Sequence, residues 1–141
     1  MITNICSKCK INKTDRERRK TDESYRLRRL MSCAFYSFFN GRKPDSTFNI
    51  LPYTLEELYK HLQSTIKPEY KGVKLHIDHI IPQSLYNPLD ESDVRKCWDL
   101  RNLRYLPAKE NLEKYDALDM ELIEGYGIED LLPEKVLTKK Y

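Results

Sequence analysis

Leu75-His76-Ile77-Asp78-His79-Ile80-Ile81-Pro82 is the stretch on which the reading of this chain turns. From Val73 to Ile81 apolar and polar residues alternate and β-branched residues are frequent. That pattern predicts a strand, and Pro82 predicts a turn directly after it. Downstream, Asp90 to Trp98 reads as a short helix with Val94, Cys97 and Trp98 on one side. Asn102 to Leu106 reads as a second strand. Pro107 suits the first turn of a helix over about 108–116. The order is therefore strand, helical insertion, strand, helix.

The polar residues carried by these elements suit hydrolysis of a phosphodiester. Attacking water must lose a proton, and a neutral imidazole can take it. Negative charge grows on the phosphate and the leaving oxygen, and a hard divalent cation held by oxygen ligands stabilises both. Asp78 and His79 supply a carboxylate and an imidazole side by side. At a strand end, where the backbone turns, both are expected to address one cleft. Asn111, early in the last helix, can offer its amide oxygen to the same ion, and Lys114 lies one turn later on the same helix face. Any one of these residues is weak evidence. Their order on strand, strand and helix is a joint signal.

Taken together, Asp78-His79, Asn102 and Asn111-x-x-Lys114 resemble the motif of the HNH, or ββα-metal, endonucleases in its Asp-His…Asn…Asn form. The resemblance extends over about residues 22–116 and is similar to small phage-encoded members. It implies an α+β fold with a ββα-metal core (a His-Me finger), a basic helical N-terminal region and a short helical C-terminal tail. It also implies that His79 is the general base, that Asp78 and Asn111 are the metal ligands, and that Asn102 braces the loop carrying His79. Lys114 would lie near the scissile or adjacent phosphate. The implied activity is hydrolysis of DNA to 5′-phosphate and 3′-hydroxyl ends with the core in the minor groove, as a phage or homing-type enzyme. One site cuts one strand, so a double-strand break needs a homodimer or two nicks. Asn111 stands where the nominal motif has His, which favours Mg²⁺ or Mn²⁺ over Zn²⁺. The paired Cys-x-x-Cys motifs of some members are absent.

Outward from the motif, the expected organisation is a basic arm (1–21), a helical region (22–72), the nuclease core (73–116) and a tail (117–141). The arm reads as irregular or as the start of a helix. Tyr25, Leu27, Leu30, Met31, Ala34, Phe35, Phe38 and Phe39 recur at helical spacing and predict a helix over 22–40 with an apolar face, stopped by Gly41. Thr54-Leu55-Glu56-Glu57 predicts a capped helix start. Residues 117–141 carry few signals beyond a short helix over Asp119 to Glu124.

Net charge is +3, but it is unevenly spread. Residues 1–43 hold 12 Lys/Arg against 4 Asp/Glu, and residues 44–141 hold 13 against 18. A basic block ahead of an acidic remainder suits either a solvated tail or a grip on nucleic acid. Candidate contacts to DNA are Arg26, Arg28, Arg29, Arg42, Lys43, Arg101, Arg104 and Lys109. His76 shares a strand face with Asp78 and reads as a polar rim histidine within reach of substrate or metal. His61 reads as a helix-surface residue and Trp98 as core.

No apolar run has the ~18 residues of a membrane span and no signal-peptide core is visible, so the expected place is the cytoplasm. Four cysteines are then expected to be reduced thiols. Cys6 and Cys9 have the spacing of half a zinc site, but the other half is missing, so structural Zn²⁺ is not expected. The alternative to a nuclease is a non-catalytic DNA-binding accessory of phage packaging or recombination. A third reading is an RNA-directed or toxic nuclease.

Overall fold

The computed structural model of the chain describes residues 13–42 and 45–138. The helices are α1 (Lys13–Thr21), α2 (Glu23–Phe38), α3 (Thr47–Ile50), α4 (Leu55–Ser64), α5 (Glu91–Cys97), α6 (Ala108–Lys114), α7 (Met120–Tyr126) and α8 (Glu134–Thr138). The strands are β1 (Leu75–His79) and β2 (Leu103–Pro107). The chain divides into two compact units, Met1–Tyr59 and Lys60–Tyr141, with the boundary inside α4.

In the first unit, Lys13 to Thr21 is helical, where an irregular arm was one of the two expectations. Asp22 then stops α1 and starts α2, its side chain accepting from Tyr25 N at 3.0 Å. The apolar stripe of α2 buries Leu27, Met31 and Phe35, with Phe35 and Phe39 meeting edge to face. The helix ends where Asn40 and Gly41 turn to positive φ, and Gly41 N returns a bond to Tyr36 O at 3.0 Å. Asp15 is buried and gathers Arg19, Arg29 and the Tyr25 hydroxyl. Cys33, expected as a reduced thiol, is disulfide-bonded. Cys6, Cys9 and Lys43 lie outside the described residues.

The capping box at the start of α4 forms in both directions. Glu57 N donates to Thr54 Oγ1 at 3.2 Å and Thr54 N donates to Glu57 Oε2 at 2.8 Å.

In the second unit β1 and β2 pair antiparallel, Leu75 opposite Pro107 and His79 opposite Leu103. A two-stranded sheet leaves two open edges. The outer edge of β2 is met by two side chains four residues apart: His61 Nε2 lies 2.7 Å from Leu103 O, and Tyr105 N donates to Thr65 Oγ1 at 2.9 Å. His61 is thus not the plain surface residue expected. Its ring meets a strand carbonyl that would otherwise lack a partner on that side.

The core of this unit is built from Ile80, Ile81, Trp98, Leu103 and Leu106 together with Ile123, Ile128, Leu131 and Leu132. The last four come from the segment expected to be a tail. They are tied back by Tyr86, whose hydroxyl donates to Leu131 O at 2.6 Å, and by Arg101, whose guanidinium pairs with Asp130 at 3.0 Å. Residues 117–138 therefore complete the second unit. Among the described residues, no helix is long and apolar enough to cross a membrane.

Candidate active site

Alternation along β1 sends His76 and Asp78 to one face and His79 to the other. Helix α6 identifies the first face. Asn111 Nδ2 stands 3.3 Å from His76 Nδ1, and Lys114 Nζ donates to Asp78 Oδ1 at 3.2 Å. A two-residue step on the strand is thus matched by a three-residue step on the helix, which is one turn. Helix α6 is set at this angle by Pro107, its N-cap, and by a backbone bond from Ala108 N to Lys74 O at 2.9 Å.

Asp78 is only 4% exposed. Its other oxygen accepts from Arg104 Nε at 2.9 Å. Arg104 sits directly across the hairpin from Asp78. Its guanidinium also donates to the Tyr126 hydroxyl at 3.3 Å. One carboxylate therefore faces two cations, and the cluster carries net positive charge. Burial, followed by nearby Lys74, holds the His76 imidazole below its ordinary pKa, so it is neutral at pH 7.

On the opposite face the His79 ring packs edge-on against Trp98, centroids 4.5 Å apart at 89°. Its Nε2 is shut off from solvent and makes no hydrogen bond. Burial, and then the ammonium of Lys114, depress this imidazole to about 3. The expectation that Asp78 and His79 address one cleft is not met by their side chains. The strand does not turn before His79, which still pairs with Leu103, so neighbouring side chains diverge. The link between the faces is Lys114, which also donates to the His79 carbonyl at 2.8 Å.

Asn102 is completely buried. Its Oδ1 accepts from Ile81 N at 2.7 Å, and its Nδ2 donates to Ile81 O at 3.2 Å and Cys97 O at 2.9 Å. Its own carbonyl accepts from Ile80 N at 2.9 Å. The loop that leaves His79 is thereby fastened to the end of the helical insertion through one carboxamide. Cys97, beside it, is a free buried thiol whose pKa burial pushes up, so it is inert at neutral pH.

The remaining cations sort by their partners. Arg101, a candidate DNA contact, is held by Asp99 and Asp130, and Arg104, another, by Asp78. Arg101 keeps about half of its side chain exposed (52%) while it pairs, whereas Arg104 is largely buried (11%). Arg29 is turned toward buried Asp15, Arg26 pairs with Glu23 at 3.7 Å, and Arg28 stacks over Phe48 at 5.4 Å. Arg42 and Lys109 are exposed. The Arg104 partnership was missed in the sequence, because opposite charges become cross-strand partners only once the hairpin register is fixed.

Among the described residues, no three His, Cys, Asp or Glu side chains converge as a metal-binding group.

No protein-family model and no solved structure matches the chain. It is similar to two uncharacterized proteins of Acanthamoeba polyphaga mimivirus. One is 26% identical over 114 residues, covering 78% of this chain and 50% of its own length. The other is 24% identical over 114 residues, covering 77% and 50%. The chain thus spans about half the length of the curated relatives it matches.

Proposed function

We propose that this chain carries a divalent-metal-dependent nuclease site that hydrolyses phosphodiester bonds of DNA. The observation that carries the reading is the register of α6 on β1: Asn111 and Lys114 are laid against His76 and Asp78, with the loop after His79 fastened by Asn102. A carboxylate and a carboxamide oxygen on one face fit a hard cation. Asp78 and Asn111 would hold it, and when bound it supplies positive charge at the phosphate and the leaving oxygen.

The chain's own groups have the following parts. Asp78 keeps spare lone pairs although each oxygen already accepts one bond. Lys114, freed from Asp78, is long enough to turn toward a phosphate oxygen while its helix stays in place. His79 is neutral, as a proton acceptor must be. Its ring is held against Trp98 by packing and no hydrogen bond anchors Nε2, so engaging a water requires it to turn out from under the indole. A phosphate arriving beside it raises its basicity, because negative charge favours the imidazolium. DNA would be gripped by the exposed cations, Arg42 and Lys109 among them, with the basic N-terminal segment adding a salt-sensitive contribution.

The test is nicking of supercoiled plasmid with Mg²⁺, Mn²⁺ or EDTA, by the wild type and by His79→Ala. The expected outcome is metal-dependent nicking that EDTA and His79→Ala both abolish, with DNA binding retained. Equal cutting by the variant would overturn the role of His79. Two observations favour a second reading, a non-catalytic DNA-binding module: the buried Nε2 of His79 and the double ion pairing of Asp78. The same assay decides, since that module binds plasmid and cuts nothing with any metal. Excess RNA as competitor separates the DNA enzyme from an RNA-directed one.

A further inference from the structure

We infer that His76 is a third protein donor to the cation, so that the site offers one nitrogen beside two oxygens and prefers Mn²⁺ to Mg²⁺. This rests on the reading of Asp78 and Asn111 as ligands and adds to it.

The argument is geometric. His76 and Asp78 share the α6 face of β1, as their separate contacts to Asn111 and Lys114 establish. The carboxamide of Asn111 and the Nδ1 of His76 are 3.3 Å apart. The oxygen and nitrogen of a carboxamide trade places by a half-turn about the last side-chain bond, so the oxygen can occupy the position facing His76. Two ligands at a right angle on one cation, with bonds of about 2.1 Å, lie about 3 Å apart. The pair is therefore already close to the spacing that a shared ion imposes, and a cation would take the place of the hydrogen they now share. His76 is partly exposed, so an ion and its remaining waters can reach it from solvent.

The donor set then determines the preference. Carboxylate and carboxamide oxygens suit Mg²⁺ and Mn²⁺ alike, whereas an imidazole favours the transition metal. A structural zinc site takes four protein ligands, mostly Cys and His, whereas this set has one imidazole, one carboxylate and one carboxamide. Mn²⁺ is the ion that accepts both halves.

The experiment uses the full chain loaded with Mn²⁺ alone, without nucleic acid. Electron spin-echo spectroscopy of bound Mn²⁺ detects a directly coordinated nitrogen, and calorimetry gives the affinities for Mn²⁺ and Mg²⁺. The wild type and His79→Ala should both show the nitrogen signal. His76→Ala and His76→Gln should lose it, with Mn²⁺ affinity weakened about tenfold and Mg²⁺ affinity changed far less. The Gln variant keeps a hydrogen-bonding partner for Asn111, so a merely supporting role for His76 would leave its Mn²⁺ affinity near that of the wild type and would overturn the proposal. Mn²⁺ bound without a nitrogen signal, or with a signal that survives in both His76 variants, also overturns it while leaving Asp78 and Asn111 as ligands. Failure of the wild type to bind Mn²⁺ removes the metal site itself, and this inference with it.

Discussion

Asn102 shows how much one side chain can hold. Three backbone groups, the N–H and C=O of Ile81 and the C=O of Cys97, depend on its carboxamide in a region closed to water. Asn102→Ala leaves them without that partner, and the expected loss is roughly 2–4 kcal/mol in urea unfolding. His79 makes the opposite kind of statement. Its imidazole is buried and neutral, with its pKa moved from 6.5 to about 3. Protonation therefore favours the unfolded chain. The stabilising contribution is complete above pH 6.5 and is lost as pH falls toward about 3. His79→Phe, which keeps an aromatic ring against Trp98, should flatten the pH dependence of stability in that window. An unchanged profile would show that His79 is not the group responsible. At this scale the chain was partly legible. Asp78, Asn102, Asn111 and Lys114 were singled out by type and spacing. The ion pair between Asp78 and Arg104 was not, because it depends on the hairpin register, which spacing alone leaves open.

Among the elements, the helix starts were the most readable. A cap is a local contact, complete within three or four residues, as at Asp22, Thr54, Asp90 and Asp119. Thr54→Ala should cost about 1 kcal/mol in thermal or urea unfolding. The end of α6 is less regular. Tyr115 follows Lys114 with φ of 50° and ψ of −123°, a conformation better suited to glycine, while its side chain is 79% exposed. Tyr115→Gly should therefore raise stability by up to about 1 kcal/mol, since strain is relieved and little packing is lost. A decrease would mean that the ring makes a contact that matters. Strand β2 carries a different lesson. Its pattern located it to within a residue, but the closure of its outer edge by His61 and Thr65 brings together residues about 40 positions apart, which no local rule connects.

For the molecule as a whole, the segment after Asp116 gives the sharpest prediction. Ile123, Ile128, Leu131 and Leu132 are each no more than 4% exposed. Burial at about 1.5–3 kcal/mol per large apolar side chain puts their joint contribution above roughly 6 kcal/mol, comparable to the whole stability of a small domain. Truncation after Asp116 should leave the second unit unfolded or aggregated, by circular dichroism and gel filtration. A folded product would show that the hairpin and α6 stand without this cover. The sequence by itself determined the helix caps, the two strands and the helix after them, and the polar residues grouped around the hairpin, because periodicity and capping act over a few residues. Only the tertiary structure decided which cation faces Asp78, that His79 turns away from it to pack on Trp98, and that the final segment belongs to the core. Those outcomes depend on register and burial between distant residues, where competing partners are compared only once the chain has closed on itself.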